Sequence, residues 1–106
     1  MAQFDVHRSP ARNRTVPFAV VIQSRIFDDL PTRLVAPLAG AAEFRRATPR
    51  FTPVFTIDGR NVVLLAWQIQ TVRAAALRPP IESLADDASS SAIINAIDDV
   101  ITCAHG

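Results

Sequence analysis

Lysine is absent from this sequence, and all 11 basic residues are arginine. Base composition of the gene accounts for that as readily as function does, although arginine's planar fork of donors suits carboxylates and buried contacts. A single cysteine, Cys103, excludes an internal disulfide and a cysteine-rich zinc site, and fits a reducing compartment. Three glycines are too few for the usual phosphate-cradling loops. Tyrosine is missing, there is one tryptophan, and no apolar run approaches the roughly 20 residues that span a bilayer. The start, Met1 to Asp5, has no charged-then-apolar leader pattern, so a cytoplasmic protein is expected. Net charge is +1, which provides no global field toward DNA or an anionic membrane.

What is present is a chain of 106 residues, 49% hydrophobic and 20% charged, the balance of one small domain spanning 1–106. Gln3 to His7 alternates, with Phe4 and Val6 on one side and Asp5 and His7 on the other, as in a short strand. Arg8 to Thr15 reads as a polar loop. Val16 to Gln23 is apolar on both alternations, so that strand needs cover on two sides, the second from a C-terminal helix or another subunit. Arg33 to Leu38 predicts a third strand, placed at an edge or bulge by Pro37. Ala39 to Ala47 has room for a helical turn or two before Pro49.

The sharpest local signal is Asp58-Gly59 between Val54–Ile57 and Val62–Leu65, the chemistry of a two-residue hairpin turn. Gln70 to Leu77 predicts one more strand, stopped by Pro79-Pro80. Ile93, Ile97, Val100, Ile101 and Ala104 form one stripe of a helix over 91–104, with Ser89 or Ser90 as its N-cap. Strands first and one helix last predict a β-rich small barrel closed by a C-terminal α-helix.

No constellation for catalysis emerges, and no enzyme is expected. The acids occur as neighbours, Asp28-Asp29, Asp86-Asp87 and Asp98-Asp99, which point apart on any regular element and read as solvated surface. His7, His105 and Cys103 match no established metal spacing, so neither metal nor cofactor is expected. Arg45, Arg46 and Arg50 form the densest basic cluster but lack the interleaved aromatics of a nucleic-acid stripe. Trp67 reads as core or interface, with a contact anchor as the other possibility. The residues alone describe a small β-rich binding domain.

Several blocks, in order and along nearly the whole length, resemble the CcdB family of bacterial toxins. They are Gln3-Phe4-Asp5-Val6, Val21-Ile22-Gln23-Ser24, Arg33-Leu34-Val35-Ala36-Pro37-Leu38-Ala39, Pro53-Val54-Phe55-Thr56-Ile57 and Asn95-Ala96-Ile97. The resemblance implies a homodimer of SH3-like β-barrels that wedges into the DNA gyrase A subunit and is extracted by a CcdA-like antitoxin whose disordered tail folds on it. It implies plasmid maintenance as the setting and binding as the mode of action. Ser24, Ile26 and Asn95 match positions of family gyrase contacts. The family's terminal Trp-Gly-Ile is replaced here by Thr102-Cys103-Ala104. That departure leaves two readings open: a gyrase-directed toxin with a diverged tail, or a non-toxic dimeric module that keeps the fold and the antitoxin.

The two-sided strand and the helix stripe exceed what one barrel covers, so a dimer interface is expected at Val20, Ile22, Ile97 and Ile101. The acidic antitoxin tail is expected to meet Arg8, Arg12, Arg14, Arg45 and Arg46.

Overall fold

The computed structural model describes residues 2–10, 14–44 and 52–102. Seven strands and one helix are found among them: β1 (Asp5–Arg8), β2 (Phe18–Val21), β3 (Thr32–Gly40), β4 (Val54–Ile57), β5 (Arg60–Leu64), β6 (Gln70–Arg73), β7 (Glu82–Ser83) and α1 (Asp87–Thr102). The sheet runs β4-β5-β3-β2-β1-β7 with β6 also paired to β3, and every pairing is antiparallel. The tip of the β4–β5 hairpin returns to the other end of this order. Asp58 N–H donates to Glu82 Oε1 at 3.2 Å, which nearly closes the sheet into a small barrel. The β-rich, SH3-like barrel with a C-terminal helix is therefore the observed fold.

The hairpin forms as its sequence dictates. Asp58 has φ 52° and Gly59 φ 74°, the two left-handed positions of the tight turn that matches strand twist. Around β3 the sequence is less transparent. Pro37 does not mark an edge, because β3 is the central strand, paired to β2 on one side and to β6 and then β5 on the other. Ile22 N–H donates to Leu34 O, which makes Ala19–Pro37 a pair between hydrogen-bonded rungs. The proline nitrogen thus faces away from β2. It lies at the seam where β6 has ended at Val35 and β5 begins at Leu38, so no full ladder is lost.

Alternation along the strands separates three apolar layers. The main core contains Val6, Phe18, Val20, Ala36, Leu38, Val62 and Leu64, and is capped by Ile93 and Ala96 of α1. On the opposite face, Ala19, Val21 and Val35 are covered by Leu77 and Val72. The second cover of the two-sided strand is thus neither the helix nor another subunit. It is the chain's own 72–77 segment, which is β6 plus a 3-10 turn at Ala74–Ala76 rather than one strand to Leu77. A third layer joins Ala39, Val63 and Leu65 to Val16 and Phe44.

The outer layer also takes His7, expected on a polar face but fully buried. Its Nδ1 lies 2.6 Å from Arg78 O, fastening β1 to the segment that covers it. Ahead of β1, Phe4 adopts φ 70°, a strained angle for a bulky side chain. Phe4 N–H donates to Val21 O at 2.6 Å while its ring packs on the main core.

The N-cap of α1 is Asp86, not Ser89 or Ser90. Its Oδ2 accepts from Ser89 N–H at 3.0 Å, and its carbonyl accepts from Ser90 N–H at 2.9 Å. The helix therefore starts one turn earlier than its apolar stripe predicts.

Candidate functional site

The chemistry-bearing surface divides between the two ends of β3. Beyond Gly40, four segments converge. Gly40 N–H donates to Thr15 O at 2.9 Å, and Ala41 N–H donates to Asn61 O at 3.0 Å. Arg60 Nη2 donates to Arg14 O at 3.2 Å and lies 3.6 Å from Glu43 Oε1. Arg8 Nη2 reaches Asp58 Oδ2 at 3.4 Å, with its guanidinium 6.0 Å from the centre of the Phe18 ring.

Arg8 and Arg14, expected from sequence to meet an acidic partner, are therefore brought into one neighbourhood with the 41–44 turn. Arg60 and Glu43 join them unannounced. A Cβ at Gly40 would meet only the ends of flexible side chains, the Glu43 carboxylate and, at 2.8 Å, Arg60 Nη2. Arg12, Arg45 and Arg46 lie outside the described residues. Beside this end runs an open groove of about 320 Å³, lined by Val16, Phe44, Leu65 and Gln68 with Glu43 at its rim. Trp67 stands at the same side, its ring centre 5.8 Å from that of Phe44. It is 47% exposed, so it is not the core residue that its apolar neighbours suggest.

At the Thr32 end exposed apolar side chains stand among the charged Arg25, Asp28 and Asp29. A 3-10 turn at Arg25–Phe27 is capped by Ser24, whose Oγ accepts from Ile26 N–H at 3.5 Å. Ile26 is 78% exposed, and Phe27 and Leu30 are also exposed. Beneath them sit Gln23 and Arg33, both more than nine-tenths buried. Sequence reading passed over this pair, yet a signal was there. Gln23 and Arg33 share the alternation of Ala19, Val21 and Val35, a face that is covered, so polar residues in that phase are forced inside.

The four residues expected at a dimer interface separate. Val20 has no accessible surface and is part of the main core, so it offers nothing to a partner. Ile22 and Ile97 are partly buried at the margin of that core, and Ile101 is 68% exposed. Ile94 and Val100 are further exposed apolar residues of α1, and Asn95 is exposed beside them. Thr102 ends the helix, and Cys103 to Gly106 lie outside the described residues. Among the described residues no three His, Cys, Asp or Glu side chains gather as a metal site, and no helix is long and apolar enough to cross a membrane.

Comparison with known proteins places these surfaces in context. The family model described as CcdB protein matches residues 3–103. No curated protein matches the chain in sequence. Among solved structures, the chain is similar to the Mycobacterium tuberculosis toxin MazF-mt6, with a TM-score of 0.70 at 14% identity over 92% of this chain and 93% of that one. At that identity the likeness is one of fold.

Proposed function

The chain belongs to the CcdB family, and on that premise we propose that it is the toxin of a toxin–antitoxin pair, acting in the cytoplasm by binding and inhibiting DNA gyrase. The observation that carries this reading is the apolar 24–30 turn, where the family-matched positions Ser24 and Ile26 stand on a fixed backbone with Ile26 almost wholly exposed. Apolar side chains held out from a rigid frame are the anatomy of a binding hot spot. Asn95, exposed on α1, extends the contact surface toward the A subunit.

The chain acts as a homodimer. Ile22, Ile97 and Ile101, with the exposed Ile94 and Val100, supply apolar surface for a second copy, and Val20 supports it from within. A CcdA-like antitoxin lays its acidic tail along the charged end at Arg8, Arg14 and Arg60, the last of which pairs with Glu43 of the groove at Phe44. Arginine forks suit carboxylates there. The action is binding, so no catalytic residue and no cofactor is assigned.

The tail favours a second reading. Thr102 in place of tryptophan removes about 100 Å² of aromatic contact, worth about 2–3 kcal/mol or roughly 30- to 150-fold in affinity. A chain that kept the fold and the antitoxin but lost the target would be a non-toxic module. Inducible expression in a bacterial host, with capture of the gyrase A dimerisation domain by the purified protein, separates the two. Weak capture and weak growth inhibition are expected of the unmodified chain, with firmer capture and growth arrest in the triple variant Thr102→Trp, Cys103→Gly, Ala104→Ile ending at 104; neither effect even in that variant rejects the gyrase reading.

A further inference from the structure

The backbone of the 24–30 turn is held from below by two side chains that flank it, Gln23 just after β2 and Arg33 in β3. Arg33 Nη2 donates to Asp28 O at 2.7 Å, and its Nη1 donates to Leu30 O at 2.6 Å and Thr32 O at 2.8 Å. Gln23 Nε2 donates to Phe27 O at 3.1 Å and Thr32 O at 3.2 Å, while its Oε1 accepts from Leu34 N–H at 3.1 Å. Four carbonyls, those of residues 27, 28, 30 and 32, are thereby fixed by two buried groups. Among the described residues, the remaining guanidinium donor, Nε, is buried and meets no acceptor.

This arrangement solves a specific problem. Ile26, Phe27 and Leu30 gain nothing from solvent, and a loose loop would fold them back on the sheet. Pinning the carbonyls removes that escape. The geometry points to Arg33 and Gln23 as positioning residues for target docking: they hold the 24–30 turn in one shape, so that its apolar side chains meet the target without a cost of loop ordering. The docking half of this inference rests on the gyrase reading above; the holding half does not.

The test uses the full-length chain with two readouts, amide hydrogen exchange along the backbone and capture of the gyrase A dimerisation domain. Arg33→Gln is expected to speed exchange at Phe27, Asp28 and Leu30 while β5 stays protected, and to weaken capture by about tenfold. Arg33→Lys, a point donor that cannot span three carbonyls, falls between the two. Val62→Ala, in the main core at the hairpin, lowers global stability but leaves capture unchanged. Unaltered exchange in the turn, or equal losses of capture in Arg33→Gln and Val62→Ala, overturns the inference. If Arg33→Gln does not fold, Gln23→Met removes only neutral bonds and decides by the same two readouts. A wild-type chain that captures no gyrase removes the docking half together with the gyrase reading, and the exchange data then decide the holding half alone.

Discussion

At the Gly40 end of β3 the surface is tied together by exposed ion pairs, whereas at the Thr32 end apolar side chains, set among the exposed Arg25, Asp28 and Asp29, stand on a turn tied down by buried hydrogen bonds. The nine residues of β3 put these ends about 26 Å apart at the usual rise per residue. On the function proposed above, each end would meet a different partner. Arg60–Glu43 and Arg8–Asp58 are both near half exposed, so they contribute little to stability and exchange easily for contacts with an incoming acidic peptide. The Arg33 and Gln23 bonds are shielded from water and do not exchange. On the function proposed above, one end would be remodelled on binding and the other would arrive finished.

The contrast can be broken most severely at what both ends share. Leu38 is fully buried in the main core beneath the middle of the sheet, and Leu38→Ala is expected to cost about 2–5 kcal/mol. Denaturant unfolding followed by two probes, one at each end, should show both ends lost in a single transition. Separate transitions would mean that the ends are independently stable.

Ile26→Asp sharpens the comparison from the apolar side. An unpaired charge at the centre of a dry contact should lower gyrase capture by roughly 30-fold or more, with antitoxin binding unchanged. Titrations of each partner at low and high salt complete the picture: antitoxin association is expected to slow with salt while gyrase capture holds.

A smaller effect is expected at the helix cap, an exposed bond directed at backbone and so intermediate in kind. The Ser89 N–H bonded to Asp86 holds its carboxyl below the ordinary carboxylate value, with the Ser89 hydroxyl helping. Because the folded value is the lower one, the stabilisation is complete above the unfolded pKa and is lost as pH falls through the folded pKa. Asp86→Asn keeps an acceptor oxygen but not the titration, so its helix content should vary less with pH across that acid range, as read by circular dichroism. The smallest change is expected for Arg60→Gln, which should alter stability by less than about 1 kcal/mol, with the difference vanishing in high salt.

How much of this was legible follows the range of the signal. The hairpin was, because Asp58-Gly59 specifies its own φ angles. The helix was, except for its first turn, because the stripe at Ile93 and Ile97 reports packing while the cap at Asp86 reports backbone geometry. Pro37 misled, since proline forbids a rung and not a central strand, and here the rung falls at a change of partner. His7 and the cover by Leu77 were hidden for another reason: which surface lies over β2 is decided by segments more than fifty residues away. The charged end was half visible through Arg8 and Arg14, but Arg60 reads as an ordinary hairpin residue until the fold carries it to Arg14 O. Gln23 and Arg33 were legible only to a reader who already knew that their side of the sheet was covered.

The anchoring of the 24–30 turn from its neighbours has a consequence for how such a protein changes over time. Its shape is written at 23 and 33, which flank the turn, and not in the residues it displays. Arg25, Ile26, Phe27, Asp29 and Leu30 are all exposed, so they can be exchanged at little cost to the fold. Framework and display surface are thus separate sets of residues, as in an immunoglobulin domain with its variable loops. A lineage carrying this framework can follow a drifting target, or adopt a new one, by rewriting a handful of exposed positions while the barrel stays as it is.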